Sequence, residues 1–167
     1  MPDLRAAILL LDTNILLDLP RLEGYRFSRR QITLVVIPEV MRELRGLSRA
    51  PARGQAGSAM QALAALESLA HRRGSAQGIP VARSSASFRI IPGSGEGGSA
   101  DGHLVARAKA EHLRDPRAMV AVVTRDWGVA DRARAERVKS ILLRGVAGAT
   151  EIERGMAEHD TVLDIDL

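Results

Sequence analysis

Residues 8–19 read ILLLDTNILLDL, an apolar run that a single acidic residue, Asp12, interrupts just before Thr13 and Asn14. An apolar run of this length bounded by polar residues predicts a fully buried strand, and Asp-Thr-Asn is turn chemistry at its end. Asp12 is therefore expected at the carboxyl end of a strand, which in an open parallel sheet is the edge where ligands bind. An Asp before an apolar segment also commonly caps a helix. The presence of further carboxylates at the same edge would favour the functional role.

The composition is that of one globular domain. The chain has 167 residues, of which 46% are hydrophobic and 26% charged, so it is long enough to bury a sizeable core. It has no cysteine, which excludes disulfides, thiol nucleophiles and cysteine-ligated zinc and is compatible with a cytoplasmic location. Residues 6–11 are too few to span a membrane and run directly into Asp12, so we predict neither a membrane segment nor a targeting segment.

Charge is distributed unevenly along the chain. The net charge is +4, but residues 151–167 hold six acids and one arginine, so they carry −5 and residues 1–150 carry +9. A basic body of this kind attracts polyanions. We expect residues 1–147 to form the functional domain and residues 148–167 to be an acidic C-terminal extension of it. Aromatic residues are only 2% of the chain, which argues against a platform for stacking single-stranded bases.

Alternating apolar runs and amphipathic segments predict an α/β fold with a parallel sheet covered by helices on both faces. After the first strand, buried strands are predicted at residues 32–37, 87–91, 118–124 and 140–143. Helices are predicted from residue 15, from residue 38, and at residues 58–73, 99–113 and 129–137, with a turn at 127–128 and irregular backbone at 74–87.

The helix that follows Pro38 carries two glutamates with different interpretations. Glu39 lies in the first turn, where a negative charge favours the helix dipole, so its presence has a sufficient structural explanation. Glu43 shares the inward face with Val40 and Leu44, which makes Glu43 the better functional candidate.

A stripe of arginines lies beside that face. Arg42, Arg45 and Arg49 follow one another at spacings of three and four residues. Such a stripe is either a solvated helix face or a row of phosphate contacts, and both interpretations stay open.

Two more carboxylates are expected near Asp12. Asp101 heads an apolar stripe in the helix that Ser99 begins, with Gly102 beside it, and Asp126 comes just past the strand at 118–124. The sequence therefore predicts that helix starts and strand ends bring four acids to one carboxyl edge of the sheet. They are Asp12, Glu43, Asp101 and Asp126.

The segment GSGEGG at residues 93–98 formally matches the dinucleotide-binding pattern GxGxxG. Pro92 separates it from the preceding strand, and Glu96 would face a pyrophosphate. A loop is the better interpretation of this segment.

A cluster of four acids favours a cation. Acids that gather without matching bases raise each other's pKa and oppose folding unless a cation binds between them. Mg²⁺ and Mn²⁺ prefer oxygen ligands, and such ions activate water and stabilise displacement at phosphorus. Together with the basic body, the cluster indicates a nucleic acid substrate.

These residues resemble the PIN-domain ribonucleases. The matching motifs follow one another over about residues 6–145. They are LLLDTNILL at 9–17, VIPEVMREL at 36–44, ADGHLVARA at 100–108 and VVTRD at 122–126. Two positions depart from the family pattern and bear on a second metal position. Arg125 stands where Asn is usual, and Gly102 stands where an acid or Ala is often found.

The resemblance implies a Rossmann-like three-layer sandwich with a central, mostly parallel sheet of about five strands, and cleavage of RNA with Mg²⁺ or Mn²⁺. It implies that the four acids are the catalytic, metal-binding residues and that Thr13, Asn14 and Thr124 support them. Arg42, Arg45 and Arg49 then become candidate contacts to the substrate. Many members of the family are the toxin of a toxin–antitoxin pair, so an antitoxin protein and a second copy of the chain are further candidate partners.

Two other functional classes share parts of this pattern. A phosphoaspartyl hydrolase also places an Asp after the first strand, but it requires an acid two residues later, and Asn14 cannot donate or accept that proton. A non-catalytic PIN-like module for RNA binding or scaffolding would keep the fold with an idle acidic pocket, and this alternative stays open.

Overall fold

In the computed structural model the described residues are 5–28, 31–51, 54–71, 79–80, 86–145 and 147–162. They form a three-layer α/β sandwich around one sheet. The strands are β1 (Ala7–Leu11), β2 (Ile32–Val36), β3 (Ile79–Pro80), β4 (Ala86–Ile90), β5 (Met119–Thr124) and β6 (Lys139–Leu142). The α-helices are α1 (Thr13–Asp18), α2 (Pro38–Ser48), α3 (Ala56–Ala70), α4 (Ala100–Arg114), α5 (Trp127–Ala135) and α6 (Ala149–Val162).

The strand order is β3-β4-β2-β1-β5-β6, and every pair is parallel except the short β3 with β4. The five parallel strands confirm the predicted sheet. β1 lies inside it, with Leu9 opposite Leu34 on one side and Ala121 on the other. All five residues of β1 are buried, which is why this strand reads as a continuous apolar run.

The sheet order reverses between β1 and β5. From β1 the chain proceeds to β2 on one side, and from β5 it proceeds to β6 on the other. The connections after these two neighbouring strands therefore diverge and leave a crevice at their carboxyl ends. Asp12 and Arg125 are the first residues beyond those two ends.

The predicted helix at residues 129–137 was wrong at both ends. Helix α5 begins at Trp127, because the Asp126 carboxylate caps it by accepting a hydrogen bond from the Gly128 N–H at 2.7 Å. It ends at Ala135, and Arg137 has a left-handed φ of 60°. The ends of the other predicted helices and strands agree with the structure or differ from it by at most three residues. The predicted irregular backbone at 74–87 falls mostly outside the described residues, and its described part contributes to β3 and β4.

Helix α6 contains most of the acidic C-terminal extension and packs against the sheet. It buries Ile152 and Met156 in the core, and the His159 Nε2 atom lies 2.7 Å from the Ser140 carbonyl oxygen of β6. The apolar face of α6 is therefore part of the core, and residues 163–167 of the extension lie outside the described residues. Among the described helices, none has both the length and the apolar character to cross a membrane.

Candidate active site

Asp12 has both of the roles that its position in the sequence allowed. Its side chain caps α1, because Oδ1 accepts a hydrogen bond from the Thr13 N–H at 2.7 Å. The residue is only 4% exposed, and its other oxygen, Oδ2, accepts from the Thr124 hydroxyl at 2.6 Å and from Asn14 Nδ2 at 3.3 Å. A carboxylate at a strand end is thus buried at the crevice and held by three donors.

Thr124, the last residue of β5, connects two of the acids. Its hydroxyl donates to Asp12 and accepts from the Asp126 N–H at 3.0 Å. Asn14 connects the same two strand ends, because its Oδ1 accepts from the Arg125 N–H at 3.1 Å. Thr124 and Asn14 therefore fix the backbone that carries Asp126 relative to Asp12.

Glu43, on α2, accepts hydrogen bonds from two other helices. Its Oε2 accepts from the Thr13 hydroxyl at 2.6 Å, and its Oε1 accepts from the Ala100 N–H at 3.0 Å. Ala100 is the first residue of α4 and Asp101 is the second. Glu43 therefore sets the position of the helix start that carries Asp101.

The four acids form one electrostatic group. Burial raises the pKa of Asp12, the charges of Asp101 and Glu43 raise it further, and the bonds from Thr124 and Thr13 oppose the rise. Burial also raises the pKa of Asp101, with added contributions from the charges of Asp126 and Glu43. The sequence reasoning expected mutual repulsion to raise these pKa values. The structure adds that burial is the larger cause for both groups.

The donor set suits a hard divalent cation in its chemistry and charge. Carboxylate oxygens are the ligands that Mg²⁺ and Mn²⁺ prefer, and each oxygen keeps acceptor capacity beyond the hydrogen bonds described above. Within the described part of the chain, however, no three acidic or histidine side chains already stand in the arrangement of a metal site. Side chains would therefore have to move toward a bound ion.

Sequence reasoning missed the role of Glu39, which is 6% exposed and anchors the GSGEGG loop. Its Oε1 accepts from the Glu96 N–H at 3.0 Å, and Gly95, at φ +79°, lies so close that a Cβ there would stand 3.2 Å from the Glu39 nitrogen. Burial by itself would raise the pKa of Glu39, but the N–H groups of Glu96 and of Glu39 itself, with His103 and Arg42, lower it below the usual value. The loop binds this carboxylate, which supports its interpretation as a loop. No local sequence signal pairs residues 39 and 96.

Two further side chains hold the same loop. His103 Nε2 lies 3.1 Å from the Gly97 carbonyl oxygen, and Arg42 Nη2 donates to the Gly98 carbonyl oxygen at 2.7 Å. The loop leads into α4, so these contacts also support the position of Asp101.

The three arginines of the stripe differ in their contacts and exposure. Arg42 is engaged by the loop, Arg45 Nε lies 3.5 Å from Glu67 Oε1, and Arg49 is exposed. A cavity of about 460 Å³ lies along the same helix, lined by Glu43, Gly46, Leu47 and Ala50. The substrate contacts predicted for the stripe stay predictions, and Arg49 is its most accessible member.

Comparisons with known proteins give a family and a fold. A family model described as a PIN domain matches residues 9–144. A solved domain of a functionally unknown protein from Methanocaldococcus jannaschii DSM 2661 is similar in fold, with a TM-score of 0.53 and 14% sequence identity. The similarity covers 84% of this chain and 94% of that domain. The search of curated proteins gave no match.

Replacing Asp12 by Asn should leave the metal-free protein as stable as wild type at pH 7, or more stable. The raised pKa means that folded Asp12 binds its proton more tightly than unfolded Asp12. Its contribution to stability is thus present at low pH and is lost as pH rises through the folded-state pKa. Thermal melts at pH 4 and pH 7 should show that the Tm of wild type falls relative to the Tm of Asp12→Asn as pH rises.

Mn²⁺ provides the second half of this test. At 100 times its Kd, a ligand adds about 2.7 kcal/mol, which corresponds to roughly 5–10 °C in Tm for a chain of this size. Wild type and the exposed control Asp115→Asn should show this gain, and Asp12→Asn should show little of it. A mutant that is less stable without metal and gains as much as wild type with it would make Asp12 a helix cap alone.

Proposed function

Because the chain belongs to the PIN domain family, which is generally a nuclease fold, we propose that it is a divalent-metal-dependent ribonuclease that hydrolyses RNA phosphodiester bonds. The observation that carries this proposal is the buried carboxylate of Asp12 at the β1/β5 crevice, within the electrostatic reach of Asp101 and Glu43. A carboxylate in this surrounding favours its protonated form unless positive charge is nearby. A divalent cation would supply that charge.

The proposed metal ligands are the four acids of the cluster, Asp12, Glu43, Asp101 and Asp126. A bound Mg²⁺ or Mn²⁺ would supply Lewis-acid polarisation of a phosphate and a more acidic water. Thr13, Asn14 and Thr124 act through hydrogen bonds, which hold the carboxylates and the strand ends in place. Asp12 and Asp126 cap α1 and α5, and Glu43 and Asp101 lie within α2 and α4, so all four acids are positioned by regular secondary structure.

RNA is the proposed substrate because the body of the chain is strongly basic. Residues 1–150 carry +9, and this charge attracts the phosphate backbone before any specific contact forms. Arg42 and Arg45 lie on the helix that carries Glu43, and Arg49 is the residue that caps the C-terminal end of this helix. All three are proposed to contact phosphates of the substrate.

We extend the proposal to a cytoplasmic toxin that pairs with an antitoxin protein and with a second copy of itself. The family resemblance supports this extension, and the geometry of the described residues adds nothing to it. The alternative function, a non-catalytic module for RNA binding or scaffolding, has one observation in its favour. The acidic side chains are not already arranged around an ion position in the described part of the chain.

Purified protein should cut single-stranded RNA in the presence of Mn²⁺ or Mg²⁺ and stop when EDTA is added. Asp12→Asn should lose this activity, because it removes the buried negative charge of the cluster, whereas Asp115→Asn should retain it. Cleavage of a labelled oligonucleotide on a denaturing gel measures both. Activity that survives EDTA, or that Asp12→Asn retains, would contradict the metal mechanism. Metal-independent RNA binding without cleavage would favour the non-catalytic alternative.

Replacing Arg49 by Gln should weaken RNA binding evenly across sequences, because a phosphate contact carries no sequence information. The slope of log K against log salt should become shallower by about 0.7, the value for one contact to a single strand. Arg49 is preferred over Arg42, whose loss would also release the loop at Gly98. The exposed Arg117, which precedes β5 at the opposite edge of the sheet, provides the control Arg117→Gln. If both variants keep the wild-type slope, Arg49 belongs to a solvated face.

A further inference from the structure

Arg132, on α5, extends its guanidinium across the first turn of α4. A Cβ atom built on Gly102 would stand 2.8 Å from Arg132 Nη1 and 3.8 Å from Arg132 Cζ. Real side chains do not approach that closely, so the guanidinium occupies space that any residue other than glycine would take. Gly102 directly follows Asp101, and the arginine therefore lies beside one acid of the cluster.

The charge of Arg132 acts on that acid. Burial and the charges of Asp126 and Glu43 raise the pKa of Asp101, and Arg132 lowers it. Arg132 is exposed, and among the described residues no hydrogen bond or ion pair engages its side chain. A planar guanidinium with five N–H donors thus stands near Asp101 with its donors available.

We propose that Arg132 binds a non-bridging oxygen of the RNA phosphate that is hydrolysed at the carboxylate cluster. This inference rests on the proposed ribonuclease function. A phosphate is an anion, and four carboxylates repel it even when one divalent ion offsets part of their charge. The fork of an arginine matches two phosphate oxygens and provides a positive charge in a fixed place.

Arg132 would stabilise negative charge on the phosphate and would transfer no proton. In hydrolysis a water oxygen forms a bond to phosphorus, the bond from phosphorus to the leaving ribose oxygen breaks, and a proton ends on that oxygen. Negative charge grows on the non-bridging oxygens during this exchange, and a positioned donor stabilises it there. The guanidinium stays protonated throughout, since its pKa lies far above neutrality.

A purely structural role makes a different prediction for metal binding. If Arg132 served only to relieve repulsion among the acids, its removal would disturb the cluster and weaken metal binding. If it binds phosphate, its removal takes a cation away from the metal ligands, so Mn²⁺ affinity should stay equal or rise. Calorimetric titration of the RNA-free protein with Mn²⁺ separates the two roles.

The experiment compares single-turnover cleavage of a short single-stranded RNA at saturating Mn²⁺ in four variants. Arg132→Gln should be about 100-fold slower than wild type, the usual cost of removing one such donor. Arg132→Lys should recover part of the rate, because it keeps the charge and loses the fork. Gly102→Ala keeps the arginine but displaces its flexible end, so it should be slower than wild type as well. Arg134→Gln, about 200° further round α5, is the matched control and should keep the wild-type rate.

Each outcome decides between the alternatives. Cleavage by Arg132→Gln within twofold of wild type overturns the inference and leaves the proposed function standing. A slow rate accompanied by a matching loss of Mn²⁺ affinity also overturns it, because Arg132 would then support the metal ligands. A wild-type protein that shows no metal-dependent cleavage overturns the proposed function, and the inference falls with it. A slow rate with intact Mn²⁺ affinity and partial rescue by lysine supports the inference.

Discussion

The hydrogen bond from the Thr124 hydroxyl to Asp12, 2.6 Å long, joins the carboxyl ends of β1 and β5 at the point where the sheet order reverses. It lies in the protein interior, where an unpaired polar group is costly, so each partner stabilises the burial of the other. The same hydroxyl accepts the Asp126 N–H, and the same carboxylate caps α1. One bond therefore aligns two strand ends and two helix starts. Burial still raises the pKa of Asp12, which makes this position responsive to a cation.

Helix α2 completes the site with two glutamates one turn apart. Glu43 accepts the first N–H of α4, and Glu39 accepts an N–H of the loop that leads into α4. Both glutamates accept backbone N–H groups with a carboxylate, and a hydrogen bond to a charged carboxylate is stronger than one between two neutral groups. The position of Asp101 therefore depends on Glu39 and Glu43 of α2 as well as on its own helix. Removing Glu39 would act on the site through the position of α4, and removing Glu43 would in addition take away one of the proposed metal ligands.

The sequence predicted the sheet because buried parallel strands are continuous apolar runs. Asp12 and Asp126 were recognisable as acids just beyond such runs, and Glu43 and Asp101 as acids on the apolar faces of predicted helices. The role of Glu39 was not predictable, because its partner is a loop N–H at residue 96 and no periodicity relates the two. Helix α5 begins earlier than predicted because the Asp126 side chain caps it. From the sequence alone, Trp127-Gly128 is interpreted as a turn. The position of Arg132 beside Asp101 could not be predicted from the sequence for a similar reason. Only the packing of α5 on α4 brings it over Gly102, where the absence of a side chain leaves the space it fills.

The central claim is that a divalent cation binds between the acids at the crevice of β1 and β5. A crystal of the wild-type protein soaked in Mn²⁺, with anomalous diffraction recorded near the manganese absorption edge, tests it most directly. The account predicts an anomalous peak at the crevice, with carboxylate oxygens of Asp12 and at least one other cluster acid about 2.1 Å from it. Manganese peaks that lie only elsewhere on the protein, with the four carboxylates unmoved, would contradict the account.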